Sequence, residues 1–249
     1  MTHITSKQPR FSIITICFNA EKEIERTLNS VSEQSYTHIE YIIIDGKSTD
    51  GTLYIVDKFR SIVSKQISEP DKGLYDAMNK GIKLATGNYL CFLNAGDMFY
   101  SSTTLQDVVD GLKGTDPDVI YGDTALVDDK GSFLRMRRLS PPQQLTWKSF
   151  KQGMLVCHQA FMPKRELVPL YDLNYRFSSD FDWCIRILKK SILTHNTNTT
   201  LIKYLNEGVT TRNHKASLKE RYQIMESHYG KITTAALHLW FALRHLLKK

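Results

Sequence analysis

The chain has 249 residues, 41% hydrophobic, 24% charged and 10% aromatic, a balance that excludes a disordered or collagen-like chain and suffices to bury a sizeable core. No apolar run reaches the about 18 residues of a membrane-crossing helix, and the opening MTHITSKQPR lacks the apolar stretch of a secretory leader, so a cytoplasmic protein is expected. The net charge is +7, and residues 212–249 supply +6 of it with eight Lys/Arg against two Asp/Glu, which points that tail toward an anionic surface.

The first half alternates strand and helix signals. FSIITICF (11–18) is a β-rich apolar run, and 21–34 follows with helical spacing, Ile24, Leu28 and Val31 sharing one face. IEYIII (39–44) is a second strand ending in the turn DGKSTDG, and 52–59 is a helix. KQISE (65–69) is a short third strand before Pro70. Residues 74–86 are helical, with Leu74, Met78, Ile82 and Ala85 expected on one stripe, and YLCFLN (89–94) is a fourth strand ending in AGD. This order predicts βαβ units and a parallel sheet, whose right-handed crossovers collect the carboxyl ends of the strands at one ligand-binding edge.

The second half is less regular. Residues 118–138 predict strands around a DDKG turn, VCHQAFMP (156–163) a strand, 181–190 an amphipathic helix after FSSD, 218–230 a helix stopped by Gly230, and 232–247 a last helix. The four cysteines, Cys17, Cys91, Cys157 and Cys184, form no CxxC pair and suggest neither a zinc site nor a disulfide framework. Neither a GxGxxG after the first strand nor a GxxxxGK[ST] is present, which removes the main support for dinucleotide binding and P-loop hydrolysis.

Polar residues end each of the apolar strands: Asn19, Asp45, Asp71 with Lys72, and Asp97. Singly, each is better explained by turn chemistry. Together on one sheet edge they would build a polar cleft, since a carboxylate ending a buried strand is costly without water, ligand or metal.

The segments SIITICFNAEKEIERTLNSVSEQSY, IEYIIIDGKSTDGT, SEPDKGLYDAMNKGIKLATGNYLCFLNAGD, and HQAFM followed by YDLNYRFSSDFDWCIRIL span roughly residues 11 to 190. They resemble the family 2 glycosyltransferases, most of all the subgroup that builds bacterial exopolysaccharide, capsule and O-antigen units. The resemblance implies an α/β protein of the GT-A fold: a Rossmann-like, mostly parallel sheet flanked by helices. A catalytic domain over 1–211, with a donor half at 11–123 and an acceptor half at 124–211, would carry basic amphipathic helices over 212–249. It implies an inverting transfer from a nucleotide-diphosphate sugar, by family habit a UDP-sugar, to a hydroxyl of a polyprenyl-diphosphate-linked glycan. A divalent cation, Mn²⁺ or Mg²⁺, would serve as cofactor.

By the same resemblance, Thr15, Phe18 and Asn19 meet the nucleotide, Asp45 bonds the nucleobase, and Asp71 with Lys72 lies along the ribose–diphosphate. Asn94 to Asp97 takes the place of the DxD motif, with Asn94 and Gly96 departing from its acids and Asp97 left to touch the metal. Asp180 falls where the family places its base, Ser179 replacing the usual Glu before it, and a helix N-cap is the competing reading of Asp180. His158 and Gln159 match an HQ pair toward donor sugar or acceptor. Asp182 is a second carboxylate in reach if this stretch is a strand, and Trp183 is a platform for a sugar ring or a core residue. The 207–212 segment EGVTTR is similar to a GGxS segment, and His214 is the one nearby match to a C-terminal metal-binding His. The last helix, with Trp240 among basic residues, is expected to lie on the inner face of the cell membrane, making the protein peripheral there. Two other classes stay open at this point: a sugar nucleotidyltransferase, though FNAEKEIE is not the basic Gly-rich loop it needs, and a non-catalytic protein binding nucleic acid or membrane. Nucleic acid is not expected as a partner, because neither alternative explains the strand-end polar residues together with Asp180.

Overall fold

A computed structural model describes residues 8–206 and 214–246. Four strands make an all-parallel sheet in the order β3-β2-β1-β4: β1 (Phe11–Cys17), β2 (Ile39–Asp45), β3 (Lys65–Ser68) and β4 (Tyr89–Phe92). β1 is buried along its whole length, which is why it reads as a continuous apolar run rather than an alternating one. Helices α1 (Ile24–Ser32), α2 (Thr52–Lys58) and α3 (Leu74–Leu84) make the crossovers.

α1 buries Ile24, Leu28 and Val31 as its spacing predicts, and Thr27 beside them. α3 keeps Met78, Ile82 and Ala85 of its expected stripe on the core and departs from it at Leu74. It buries Tyr75, Ala77, Met78 and Gly81, the last against Ile14 of β1, while Leu74 is 40% exposed. The glycine lets the helix approach the sheet closely.

Ser12 of β1 and Thr86 both donate to the Glu40 carboxylate, which also pairs with Lys65 at 2.8 Å. Burial alone would raise that acid, but these donors hold it at about 2. The cluster ties β1, β2, β3 and the segment leading into β4 together at the end of the sheet away from the polar strand ends.

A second, mixed sheet runs β5-β9-β6-β7, with β8 added on β6. Its strands are β5 (Met98–Phe99), β6 (Val119–Val127), β7 (Phe133–Met136), β8 (Phe161–Pro163) and β9 (Thr194–Leu205). The hairpin around DDKG is present: Asp128 Oδ1 accepts from the amides of Lys130 and Ser132 and closes the turn between β6 and β7. The strand expected over 156–163 is confined to its last three residues, because His158–Ala160 is a 3₁₀ turn. Helix α4 (Thr104–Leu112), β5 and β9 had no sequence assignment. β9 alternates weakly because only Leu201 and Ile202 along it are buried, and so it carries little strand pattern.

Helix α5 (Ser179–Leu188) begins two residues earlier than the spacing indicated. Helix α6 (His214–Tyr229) follows, and α7 (Lys231–Leu246) comes after Gly230, whose φ of +84° lets the chain turn between them. One continuous core joins both sheets and takes in Ile224 and Met225 of α6. α7 lays Leu237 and Phe241 on it and leaves Ile232, Leu239, Trp240 and Leu243 exposed on its other side.

Candidate active site

The segment after β4 opens on a cleft of about 520 Å³, bounded across from it by β7, the His158 turn and the start of α5. Its floor is the Asn94–Asp97 turn. The Asp97 amide donates to Asn94 O at 2.9 Å, and Gly96 sits at φ +97°, which an L side chain rarely adopts. A Cβ there would also meet Leu205 at 2.6 Å. Thr27 of α1 locks the turn: its hydroxyl accepts from the Gly96 amide at 2.9 Å and donates to Asp97 O at 2.8 Å.

Asp97 is 3% exposed and lines the cleft. Its Oδ1 accepts from the Leu205 amide at 3.0 Å and its Oδ2 from Gln159 Nε2 at 2.9 Å. Burial outweighs both bonds and pushes its pKa up to about 6. Asn94 Oδ1, in the same wall, is enclosed and has no hydrogen-bond partner among the described residues. An orphaned amide oxygen beside a carboxylate with lone pairs to spare is a hard-oxygen set that suits Mg²⁺ or Mn²⁺. No group of three or more His, Cys, Asp or Glu able to hold a metal occurs among the described residues, so a cation here would need oxygens from a ligand as well.

Across the cleft, Asp180 is the second residue of α5, so it is not the helix cap; Ser178 holds that position. Asp180 Oδ1 accepts from the Tyr75 hydroxyl at 3.1 Å, and Oδ2 lies 3.5 Å from His158 Nδ1. Burial raises this acid, but His158, the charge of Arg221 and the Tyr75 hydroxyl together hold it below the usual carboxylate range. The helix start is pinned from α6, where Glu220 accepts from the amides of Arg176 and Phe177 and Ser178 bonds Ser217. His158 is 8% exposed, and its Nε2 has no partner among the described residues.

Several candidates sit elsewhere than their patterns implied. Thr15 is fully buried and donates to Leu93 O at 2.7 Å, so it braces β1 against the segment after β4. Asp45 is also fully buried: Ser48 and Ser68 donate to its oxygens, which leaves it closing the turn after β2 and without a free edge for a base. Asn19, at φ +48°, knits two loops, its amide donating to Ser48 Oγ at 2.8 Å and its Oδ1 accepting from the Thr49 amide at 2.9 Å.

Phe18 is 62% exposed at the end of β1. A Cβ on Gly46 would come within 3.2 Å of Phe18 and 2.6 Å of Asp71 Oδ2, so the glycine lets ring and carboxylate pack closely on the turn after β2. Lys72 is exposed in the loop before α3, its amide bonded to Asp76.

Gln159 is fully buried and acts on Asp97. Asp182 faces away from Asp180 because the stretch is helical, and it clamps Arg186 (2.6 Å) and His228 (2.7 Å) of α6. Trp183 is fully buried, stacked on Tyr171 with ring centroids 4.8 Å apart, so no face is open to a sugar. The 207–212 segment and the His214 side chain lie outside the described residues.

The cleft also contains residues that the sequence patterns did not single out: Tyr75, and the cations Arg135, Arg137, Arg138 and Arg221. The run RMRR at 135–138 was legible, but nothing local said which way the strand would face.

The family model described as glycosyl transferase family 2 matches residues 12–168. A PGL/p-HBAD biosynthesis glycosyltransferase of Mycobacterium bovis is 32% identical over 209 residues, 80% of this chain and 77% of the relative. The Bacillus subtilis protein TuaG, assigned to teichuronic acid biosynthesis as a glycosyltransferase, is 26% identical over 92% of this chain and 94% of its own. The S. aureus TarS 1–349 fragment, solved with UDP-GlcNAc, superposes with a TM-score of 0.67 at 21% identity, covering 87% of this chain, which spans 64% of that fragment. At that identity the likeness speaks for the fold: the parallel sheet flanked by helices is that of the GT-A glycosyltransferases.

Proposed function

The chain belongs to glycosyl transferase family 2 and is a glycosyltransferase, and from that premise we propose that it moves a sugar from a UDP-sugar onto a hydroxyl of a lipid-linked glycan in bacterial surface-polysaccharide synthesis. The observation that carries this reading is the meeting of Asp97 and Asp180, far apart in sequence, on the walls of one cleft.

Phe18, exposed at the end of β1, offers a ring to stack on a nucleobase, and nearby Asp71 a carboxylate to accept from its N–H, in place of Asp45, whose oxygens are taken up by Ser48 and Ser68. Lys72, exposed one residue on, suits the diphosphate. Asn94 and Asp97 would hold a divalent cation against the diphosphate oxygens, and the cation would supply neutralisation of the departing charge. Asp180 takes the proton from the attacking hydroxyl as that oxygen bonds to the anomeric carbon from the face opposite the leaving diphosphate. Tyr75 and His158 fix the carboxylate for this. One in-line displacement inverts the anomeric centre and needs no covalent enzyme intermediate.

Thermal unfolding with nucleotides tests the donor site. UDP or one UDP-sugar at 100 times its Kd, with Mn²⁺, is expected to stabilise the fold by about 2.7 kcal/mol, with little shift when Mn²⁺ is withheld. GDP-dependent stabilisation alone would overturn the UDP assignment, and indifference to every nucleotide would sink the donor site.

No described helix is long and apolar enough to cross a membrane. The exposed Ile232, Leu239, Trp240 and Leu243 of α7 instead form an apolar strip on a basic tail, which supports seating on an anionic leaflet at the inner face of the cell membrane. Wild-type protein is expected to co-sediment with vesicles containing phosphatidylglycerol, and Trp240→Glu to remain in solution. Equal recovery of the two would rule out this face as the contact.

A further inference from the structure

We propose that the wall of the cleft formed by Arg135, Arg137, Arg138 and Arg221 is an anion subsite, separate from the donor's diphosphate, that holds a phosphate or diphosphate carried by the acceptor. The inference rests on the transferase reading above and names the chemistry its second substrate must have.

Four guanidinium groups line this one cleft against two carboxylates, Asp97 and Asp180. Among the described residues none of the four arginines forms an ion pair, although ion pairs hold Lys65, Lys80, Lys164 and Arg186 elsewhere in the molecule. Arg137 Nη1 and Arg221 Nε are enclosed and lack an acceptor among the described residues. Buried N–H donors without acceptors are costly. A ligand oxyanion would satisfy all of them, and the guanidinium fork matches phosphate two bonds at a time. A neutral glycan would leave most of these donors unmet.

Within the one cleft, the arginines and the Asn94–Asp97 turn come from different elements. Asn94 and Asp97 stand at the carboxyl edge of the parallel sheet, where Phe18, Asp71 and Lys72 also lie. The arginines arrive from the other half: Arg135 from β7, Arg137 just past its end with its amide donating to Thr124 O at 3.0 Å, and Arg221 from α6. Arg221 lies 5.8 Å over the ring of Phe181, and its charge acts on Asp180. A hydroxyl that reaches Asp180 therefore belongs to a molecule whose neighbouring group meets these cations. The same phosphate chemistry could come from a lipid diphosphate bearing the glycan or from a phosphate within the glycan itself.

The test is titration calorimetry of the protein saturated with UDP and Mg²⁺, with glucose 1-phosphate and farnesyl phosphate as probes. Both are expected to bind the UDP-loaded protein. Arg135→Ala/Arg138→Ala, at two exposed positions where refolding is not at issue, should weaken both by about tenfold or more while UDP affinity stays within about twofold. Tighter binding of farnesyl phosphate would assign the anion to the lipid, and equal binding to the glycan; both support the subsite. Loss of probe binding once UDP is present would overturn the proposal, because the arginines would then belong to the donor's diphosphate. Unchanged probe binding in the double variant would also overturn it. Failure of UDP itself to bind would strike the transferase reading instead and is seen in the first titration.

Discussion

Asp180→Asn is expected to lower kcat by about 10³-fold and leave UDP affinity unchanged. The substitution keeps an oxygen for the Tyr75 hydroxyl and keeps the helix, and it removes only the ability to take a proton. Steady-state rates beside a UDP titration check it, and near-normal kcat would pass the proton to another group, His158 Nε2 being the unpartnered basic atom in the same wall. The contacts that hold Asp180 below the carboxylate reference of 3.8 carry a pH consequence. Its ionised form stabilises the fold above pH 3.8, and that contribution is lost as the pH falls through its lower folded value. The group therefore stays a carboxylate across the neutral range, and no acid-side loss of rate above that pH should trace to it.

Asp97→Asn is expected to abolish Mn²⁺-dependent UDP binding and lower kcat/KM by about 10²-fold or more, while making the protein harder to unfold. The two effects have one cause. Burial lifts the Asp97 pKa from 3.8 to about 6, so the folded state holds the proton more tightly than the unfolded chain. The sign is opposite to that of Asp180: the stabilising contribution is complete below pH 3.8 and disappears as the pH rises through about 6. Above that, the ionised group costs the fold about 3 kcal/mol, by about 1.36 kcal/mol for each pKa unit. An amide removes the charge, gives back part of the gain in hydrogen bonding to Leu205 and Gln159, and leaves about 2 kcal/mol. Urea unfolding at neutral pH reads it. A variant less stable than wild type, or one that keeps its Mn²⁺ response, would show that Asp97 is a structural acid rather than a strained ligand.

The order β1 to β4 and their helices was legible because burial imprints its period on the sequence: continuous apolar runs where both faces of a strand are covered, and Ile24, Leu28 and Val31 where one face of a helix is. The NAGD turn was legible as a polar strand ending. β5 and β9 were not, since β5 is two residues long and β9 buries little, leaving no periodic trace, whereas α4 does carry a helical stripe in Leu105, Val108 and Leu112. Of the α3 stripe only Leu74 was misplaced, and the close seat of Gly81 on Ile14 left no local trace because Ile14 lies on another element.

The sequence by itself determined the family, the parallel sheet and the edge at which chemistry collects, all of which follow from local pattern. Tertiary structure decided which polar residue faces the cleft. Asp45 and Thr15 end or line apolar strands as visibly as Asp97, yet their oxygens are taken up inside the protein, by Ser48 and Ser68 and by Leu93. Asp180 and Asp182 are two residues apart, and a helix sends one to Tyr75 and the other to His228. The contacts that set Asp97 and Asp180 come from Leu205, 108 residues on, and Tyr75, 105 residues back. A side chain's burial period is written over a few neighbouring residues, whereas its partners across a cleft are fixed only when distant segments pack.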